Sequence, residues 1–330
     1  MIRAAAWLAL ALLAGGPAWG NDSSGFQGTG GIELAANPAV RMVSEDLFIS
    51  LGQIRVSYVF RNVTRQPVTT LVVFPFPDLD LSQGLSAPNW AFPVKGSNFL
   101  DFRVWVDGQA VQPALERRAF LHGRDVTAEV AAAGALDVAP WQADPYHGET
   151  AGLPEAALAQ LRRQGLVADG EDPDTPQWQL RTRYYWTQTF PPGRDVRVRH
   201  TYRPFVGSAL MEGVRQVDGR AVFGRLVGEH PADRDRYCLD AGTRRALVAA
   251  ERSGTRFSQV AELEYILTTA RNWAGPIGHF HLTIDKGSPR NVATLCWDGL
   301  HRTGATTFEA SADNFVPVHD IALLVFRADR

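Results

Sequence analysis

The stretch Ile54-Arg55-Val56-Ser57-Tyr58-Val59-Phe60-Arg61-Asn62 decides the fold. Ile54, Val56, Tyr58 and Phe60 alternate with Arg55, Ser57 and Arg61, so an extended chain turns one apolar and one polar face. That is the pattern of a half-buried strand, and Asn62 ends it. Working outward, Thr69 to Phe76 is a nearly continuous apolar run, and Pro75 and Pro77 are expected to take it out of its sheet. Phe102, Val104 and Val106 lead into Asp107-Gly108, from which Gln109 to Gln112 return, a two-residue hairpin signal. Trp178–Phe190 and Val196–Phe205 flank Pro191-Pro192-Gly193-Arg194 and read as one hairpin. Further strands are expected at Ala261–Thr268, His279–Lys286, Ala293–Trp297, Thr306–Ala310 and Asp320–Phe326. So many strands predict a mainly β fold, an antiparallel β-sandwich that is either one large sandwich or two packed ones.

Helices are few. Pro154 suits a helix start and Gly165 its end. A further peripheral helix is expected from Ala241 to Ser253, with Asp240 as N-cap and Gly254 past its end. Val126 to Ala133 is a shorter candidate. The stretch from Gly123 to Pro176 is rich in Ala, Gly, Pro and Asp and reads as a small, largely helical insertion. The expected organisation is a signal peptide at 1–20, a β-sandwich domain at 21–206 with the insertion at about 123–176, and a β-rich domain with one helix at 207–330.

The signal peptide rests on Arg3, the short apolar run Ala4–Ala14, and small residues at Ala18 and Gly20. The mature chain then begins near Asn21. Neither the leader nor Ile321–Phe326 is long enough to span a bilayer, so the expected location is periplasmic or secreted, with no transmembrane segment in the mature chain. Cys238 and Cys296 make an even count in an exported chain, which favours a disulfide. Closing their 58-residue loop contributes about 4 kcal/mol by the chain-entropy argument.

The 330 residues are 45% apolar and 21% charged with net charge −2, ordinary globular values that give no general attraction for nucleic acid. No Gly-x-Ser-x-Gly, His-Glu-x-x-His, Walker loop or Cys-x-x-Cys is present. The dense Gly25, Gly28, Gly30 and Gly31 lack the strand–turn–helix setting of a nucleotide loop, and Asp169, Glu171, Asp172 and Asp174 lack EF-hand spacing. No catalytic residue, cofactor or metal is therefore assigned. His279 and His281 share a polar strand face, with Glu262 and Glu264 as candidate neighbours, but solvated histidines are the commoner outcome.

Two binding patterns stand out. Arg197, Arg199 and Arg203 fall on one face of one strand, with Arg181 and Arg183 on the strand before it. Such a face suits an anionic partner, an acidic envelope protein or an anionic polysaccharide. Tyr184-Tyr185-Trp186 places rings on both faces of a strand, so Tyr184 or Trp186 is a candidate for stacking on a sugar.

An ordered set of strings runs through the chain: Ser44-Glu45-Asp46-Leu47, Val56-x-Tyr58-x-Phe60-x-Asn62, Phe74-Pro75-x-Pro77-Asp78, His200-x-Tyr202-x-Pro204, Tyr237-Cys238-x-Asp240, Gly275-Pro276-Ile277 and Asp285-Lys286-Gly287. It resembles the bacterial secreted family catalogued as domain of unknown function 4424. The resemblance implies a signal peptide, a β-rich body and pairing of the two cysteines, and no known activity. Residues 44–206 also look like the VIT modules of inter-alpha-trypsin inhibitor heavy chains, which are extracellular β-sandwich interaction modules. The expectation is an exported β-sandwich protein with a binding or scaffolding role in the cell envelope. The rivals are an envelope hydrolase with a dispersed site and a carbohydrate-binding module.

Overall fold

Alternation of apolar and polar residues builds three main sheets, in a computed structural model that describes residues 21–83, 98–136, 153–169, 174–210, 214–217, 220–223 and 235–329. The largest has eight strands in the order β18 (His301–Arg302), β19 (Thr307–Phe315), β16 (Ile277–Asp285), β3 (Val40–Ser50), β4 (Ile54–Asn62), β11 (Asp195–Tyr202), β6 (Arg103–Val106) and β7 (Gln109–Val111). A six-stranded sheet runs β2 (Gly31–Leu34), β1 (Ser23–Gly28), β5 (Val68–Asp80), β10 (Gln179–Phe190), β8 (Ala114–Leu121), β9 (Arg124–Asp125). The third contains β12 (Gly207–Leu210), β15 (Phe257–Tyr265), β20 (Ile321–Ala328) and β17 (Val292–Thr294), and β13 (Val214–Val217) pairs with β14 (Arg220–Phe223) alone. Every pairing between these strands is antiparallel except β3 with β16.

The six- and four-stranded sheets both lie on the inner face of the eight-stranded one. Phe74, Tyr184, Trp186 and Phe190 of the first, and Leu263, Tyr265, Leu323 and Val325 of the second, share one core with Tyr58, Phe60, Val198, Phe280, Leu282 and Ile284. Strands from both sides of the expected division at 206/207 thus join one sheet through β3 and β16. The other face of the four-stranded sheet packs Val260, Leu324 and Phe326 against Leu247 of helix α3 (Ala241–Arg252). Helices α1 (Thr127–Ala132) and α2 (Glu155–Arg163) bury Val130 and Leu161 with Ala119 of β8. These are the described helical parts of the expected insertion; 137–152 and 170–173 lie outside the described residues.

Local signals are realised closely. Asp107 (φ 48°) and Gly108 (φ 83°) form the two-residue turn between β6 and β7. The Asp240 carboxylate accepts from the Thr243 amide at 2.7 Å, and Gly254 (φ 89°) follows the end of α3. The disulfide Cys238–Cys296 ties the start of α3 to the chain just beyond β17.

Two expectations need correction. First, β10 and β11 are not a hairpin, because the Pro191–Arg194 turn carries the chain from the six-stranded to the eight-stranded sheet. β10 pairs with β5 along its length and with β8 over Gln179–Tyr185, whereas β11 takes β4 and β6 as its neighbours. Second, β5 does not leave its sheet at the prolines but runs on to Asp80. Its pairing with β1 stops at Val73, so Pro75 and Pro77 lie where one edge has no partner strand among the described residues and a missing N–H costs little.

Candidate functional site

Two places gather polar side chains: the outer face of the eight-stranded sheet and a sealed cluster beneath it. On the outer face, cross-strand register lines up His281, Asp46, Ser57, Arg199 and Trp105 along one row. The row beside it holds Thr283, Phe48, Arg55, Thr201 and Arg103. Arg199 lies over the Trp105 ring at 4.2 Å and Arg55 over Phe48 at 4.7 Å, cation–π contacts that hold the guanidinium groups in place while leaving their donors free. Arg197 and Arg199 are exposed, and Arg203 is exposed just past the end of β11. None of Arg55, Arg197, Arg199 and Arg203 makes an ion pair among the described residues. Arg61 does, through its Nε to Asp195 at 2.6 Å.

The acidic half of the same face is self-paired. His279 Nδ1 lies 2.8 Å from Asp313, and His281 lies 3.4 Å from Asp46 and 3.7 Å from Glu309. The carboxylates beside the histidines thus come from β3 and β19. Glu262 and Glu264 are elsewhere, since β15 belongs to the four-stranded sheet. Among the described residues no group of three or more His, Cys, Asp or Glu is arranged to hold a metal.

Arg181 and Arg183 do not join the outer arginines. They stand on the six-stranded sheet, Arg181 paired with Asp78 at 3.1 Å and stacked on Phe120, Arg183 with Glu116 at 3.8 Å. Tyr184 and Trp186 are 2% and 5% exposed, so neither offers a surface for sugar stacking. Both turn inward because β10 packs its even-numbered residues on the eight-stranded sheet. Asp174 of the acidic run is bound through both carboxylate oxygens by Arg162 at 2.6 Å.

The sealed cluster lies where the three sheets meet. Asn21, Asp22, Glu45, Tyr58, His200, Tyr265 and Thr269 are buried there. The Asn21 side-chain amide donates to both Glu45 oxygens at 3.0 and 3.2 Å and its carbonyl accepts from the Tyr58 hydroxyl. Tyr265 donates to Glu45 at 3.5 Å, and Trp273 Nε1 donates to the Asp22 carbonyl at 2.8 Å. Burial pushes the Glu45 carboxyl up to about 8 and the His200 imidazole down to about 3. His200 Nε2 is 3.4 Å from Asp22, yet neither imidazole nitrogen and neither Asp22 carboxylate oxygen has a hydrogen-bond partner among the described residues. Sequence reasoning missed this cluster, although Glu45, Tyr58 and His200 each stand in a quoted family string. A carboxylate at an apolar-phase position, as Glu45 is beside Leu47 and Ile49, is the signal that could have found it.

Other strings resolve into structure. Asn62 Nδ2 donates to the carbonyls of Gln66 (2.7 Å) and Phe190 (2.8 Å), pinning two chain reversals. Lys286 Nζ donates to the carbonyls of Pro289 and Asn291, holding the turn after β16.

The fold and its two polar regions define a disulfide-linked, three-sheet β-sandwich protein. A family profile matches residues 20–324, and the chain belongs to the family described as Domain of unknown function (DUF4424). No curated protein matches. Among solved structures, the chain is similar to a candidate nutrient binding protein from Legionella pneumophila subsp. pneumophila str. Philadelphia 1, with 17% identity and TM-score 0.45 over 94% of this chain and 72% of that one. It is similar at 8% identity and TM-score 0.29 to a mutant two-domain M1 zinc metallopeptidase bound to L-tryptophan, over 89% of this chain and 44% of that one. Among the described residues no helix is long and apolar enough to cross a membrane.

Proposed function

We propose that this is an exported protein of the cell envelope with a binding or scaffolding role, and that it docks an anionic partner on the outer face of its eight-stranded sheet. The observation that carries this reading is the set Arg55, Arg197 and Arg199, exposed on an open sheet face, two of them stacked on aromatic rings and none ion-paired among the described residues. Guanidinium groups held this way present planar donors suited to carboxylate or sulfate oxygens. Hydrolysis is less well supported, because the convergent set of titratable groups at the sheet junction is sealed from solvent.

The test is charge reversal at Arg197 and Arg199, scored by retention on an immobilised uronate polysaccharide and by recovery of partners from an envelope fraction. Binding should weaken at least about tenfold and lose much of its salt dependence. Unchanged retention and salt dependence would remove the reading. For the export half, fractionation should place the protein outside the cytoplasm, and thiol titration of the denatured, unreduced protein should find no free thiol.

A further inference from the structure

The chain enters the fold at its deepest point. Asn21 and Asp22 have no exposure, and the Asn21 backbone nitrogen donates to Thr269 Oγ1 at 2.8 Å, whose hydroxyl donates back to the Asn21 carbonyl at 2.7 Å. The titratable groups facing this point are Asp22, Glu45 of β3, Tyr58 of β4, His200 and Tyr202 of β11, and Tyr265 of β15. Two of them are carboxylates, and no lysine or arginine bonds to either among the described residues. Both Asp22 oxygens lack a donor. Buried carboxylates are costly unless a cation meets them, and a neutral imidazole is a weak substitute.

We infer that cleavage of the Gly20–Asn21 bond leaves the α-ammonium of Asn21 inside the fold as the counter-ion of Glu45 and Asp22, so that leader removal completes the core. The inference rests on the export reading, with an endopeptidase of the export machinery as the agent. Water adds across the peptide bond, leaving a carboxylate on Gly20 and an amine on Asn21 that takes a further proton from solvent. The backbone amide offers a single N–H, already given to Thr269. The ammonium offers three, and the buried carboxylates at this point are Glu45, bonded to the Asn21 side chain at 3.0 and 3.2 Å, and Asp22, the next residue in the chain.

The sign with pH follows. Without the ammonium, folded Glu45 holds its proton up to about 8, whereas the unfolded chain releases it near the ordinary carboxylate value. Stability is then full at low pH and is lost as pH rises toward 8. With the ammonium, Glu45 ionises in place. The amine, raised above its unfolded value of about 7.7–8.0, keeps its contribution until pH passes its folded value.

The experiment compares a chain starting at Asn21 with one retaining Gly20, each with and without Glu45→Gln. The Asn21 start should melt at least about 3 °C higher at pH 7. It should stay flat to about pH 8 while the extended chain declines, and Glu45→Gln should shrink the difference between the two. Its amine should resist acylation in the native state and react in denaturant. Indistinguishable melting and pH profiles, or native acylation as fast as denatured, overturn the inference alone when envelope-derived protein starts at Asn21. Envelope-derived protein starting elsewhere overturns it together with its cleavage site. Protein found only in the cytoplasm with its leader intact overturns it together with the export reading.

Discussion

Glu45 and Asp46 are neighbours on one strand and live in different electrostatic worlds. Asp46 faces solvent beside His281, where water and salt screen its charge within about 8–10 Å. Glu45 faces the junction of three sheets, where burial, partly offset by hydrogen bonds from Asn21 and Tyr265, moves its carboxyl to about 8. The same alternation separates Arg199, exposed on the outer face, from His200, neutral in the core. Charge on the outer face is screened by solvent. Charge in the inner cluster is bound up with the fold itself.

The sharpest way to break this comparison is acid. Folded His200 stays unprotonated down to about 3, whereas the unfolded chain takes the proton near 6.5, so stability is lost as pH falls through that window. A full shift of that size is worth on the order of 5 kcal/mol. His200→Phe should flatten the acid limb of a pH–stability curve, and an unchanged limb would place His200 with the screened groups. Next in size, Glu45→Ala should cost about 3 kcal/mol in urea unfolding, since it leaves the Asn21 amide and Tyr265 hydroxyl short of a partner. Asp46→Ala should stay within about 0.5 kcal/mol, and equal costs for the two would erase the distinction. Tyr58→Phe removes a buried donor to Asn21 and should cost about 1–2 kcal/mol. The smallest effect belongs to Arg199→Ala, expected within about 0.5 kcal/mol by the same unfolding measurement. A larger loss would mean that its stacking on Trp105 holds the sheet together.

The sequence made local structure legible wherever a local rule applies. Period-two alternation located β4, β11 and β16, the Asp107-Gly108 turn located the β6–β7 hairpin, and the Asp240 cap located α3. What escaped it depends on which strand lies next to which. Pro191–Arg194 reads the same whether it joins two paired strands or two sheets, and what decides the matter is that β11 lies between β4 and β6, strands distant from it in sequence. The outer arginines were readable because one strand carries Arg197 and Arg199. The inner cluster was not, because its members come from six separate segments and meet only after the sheets close.

The parallel pairing of β3 with β16 also sets a timetable. Asp46 and His281 are separated by 235 residues, so β3 leaves the ribosome roughly 10–50 s before its neighbour exists. Throughout that interval β3 and β4 can form a ribbon whose one edge displays unpaired N–H and C=O groups beside Leu47 and Ile49. A nascent chain in that condition is a substrate for holdase chaperones and for mispairing with its own copies. The late arrival of residues 277–285 therefore makes self-association during synthesis the hazard this topology has to survive.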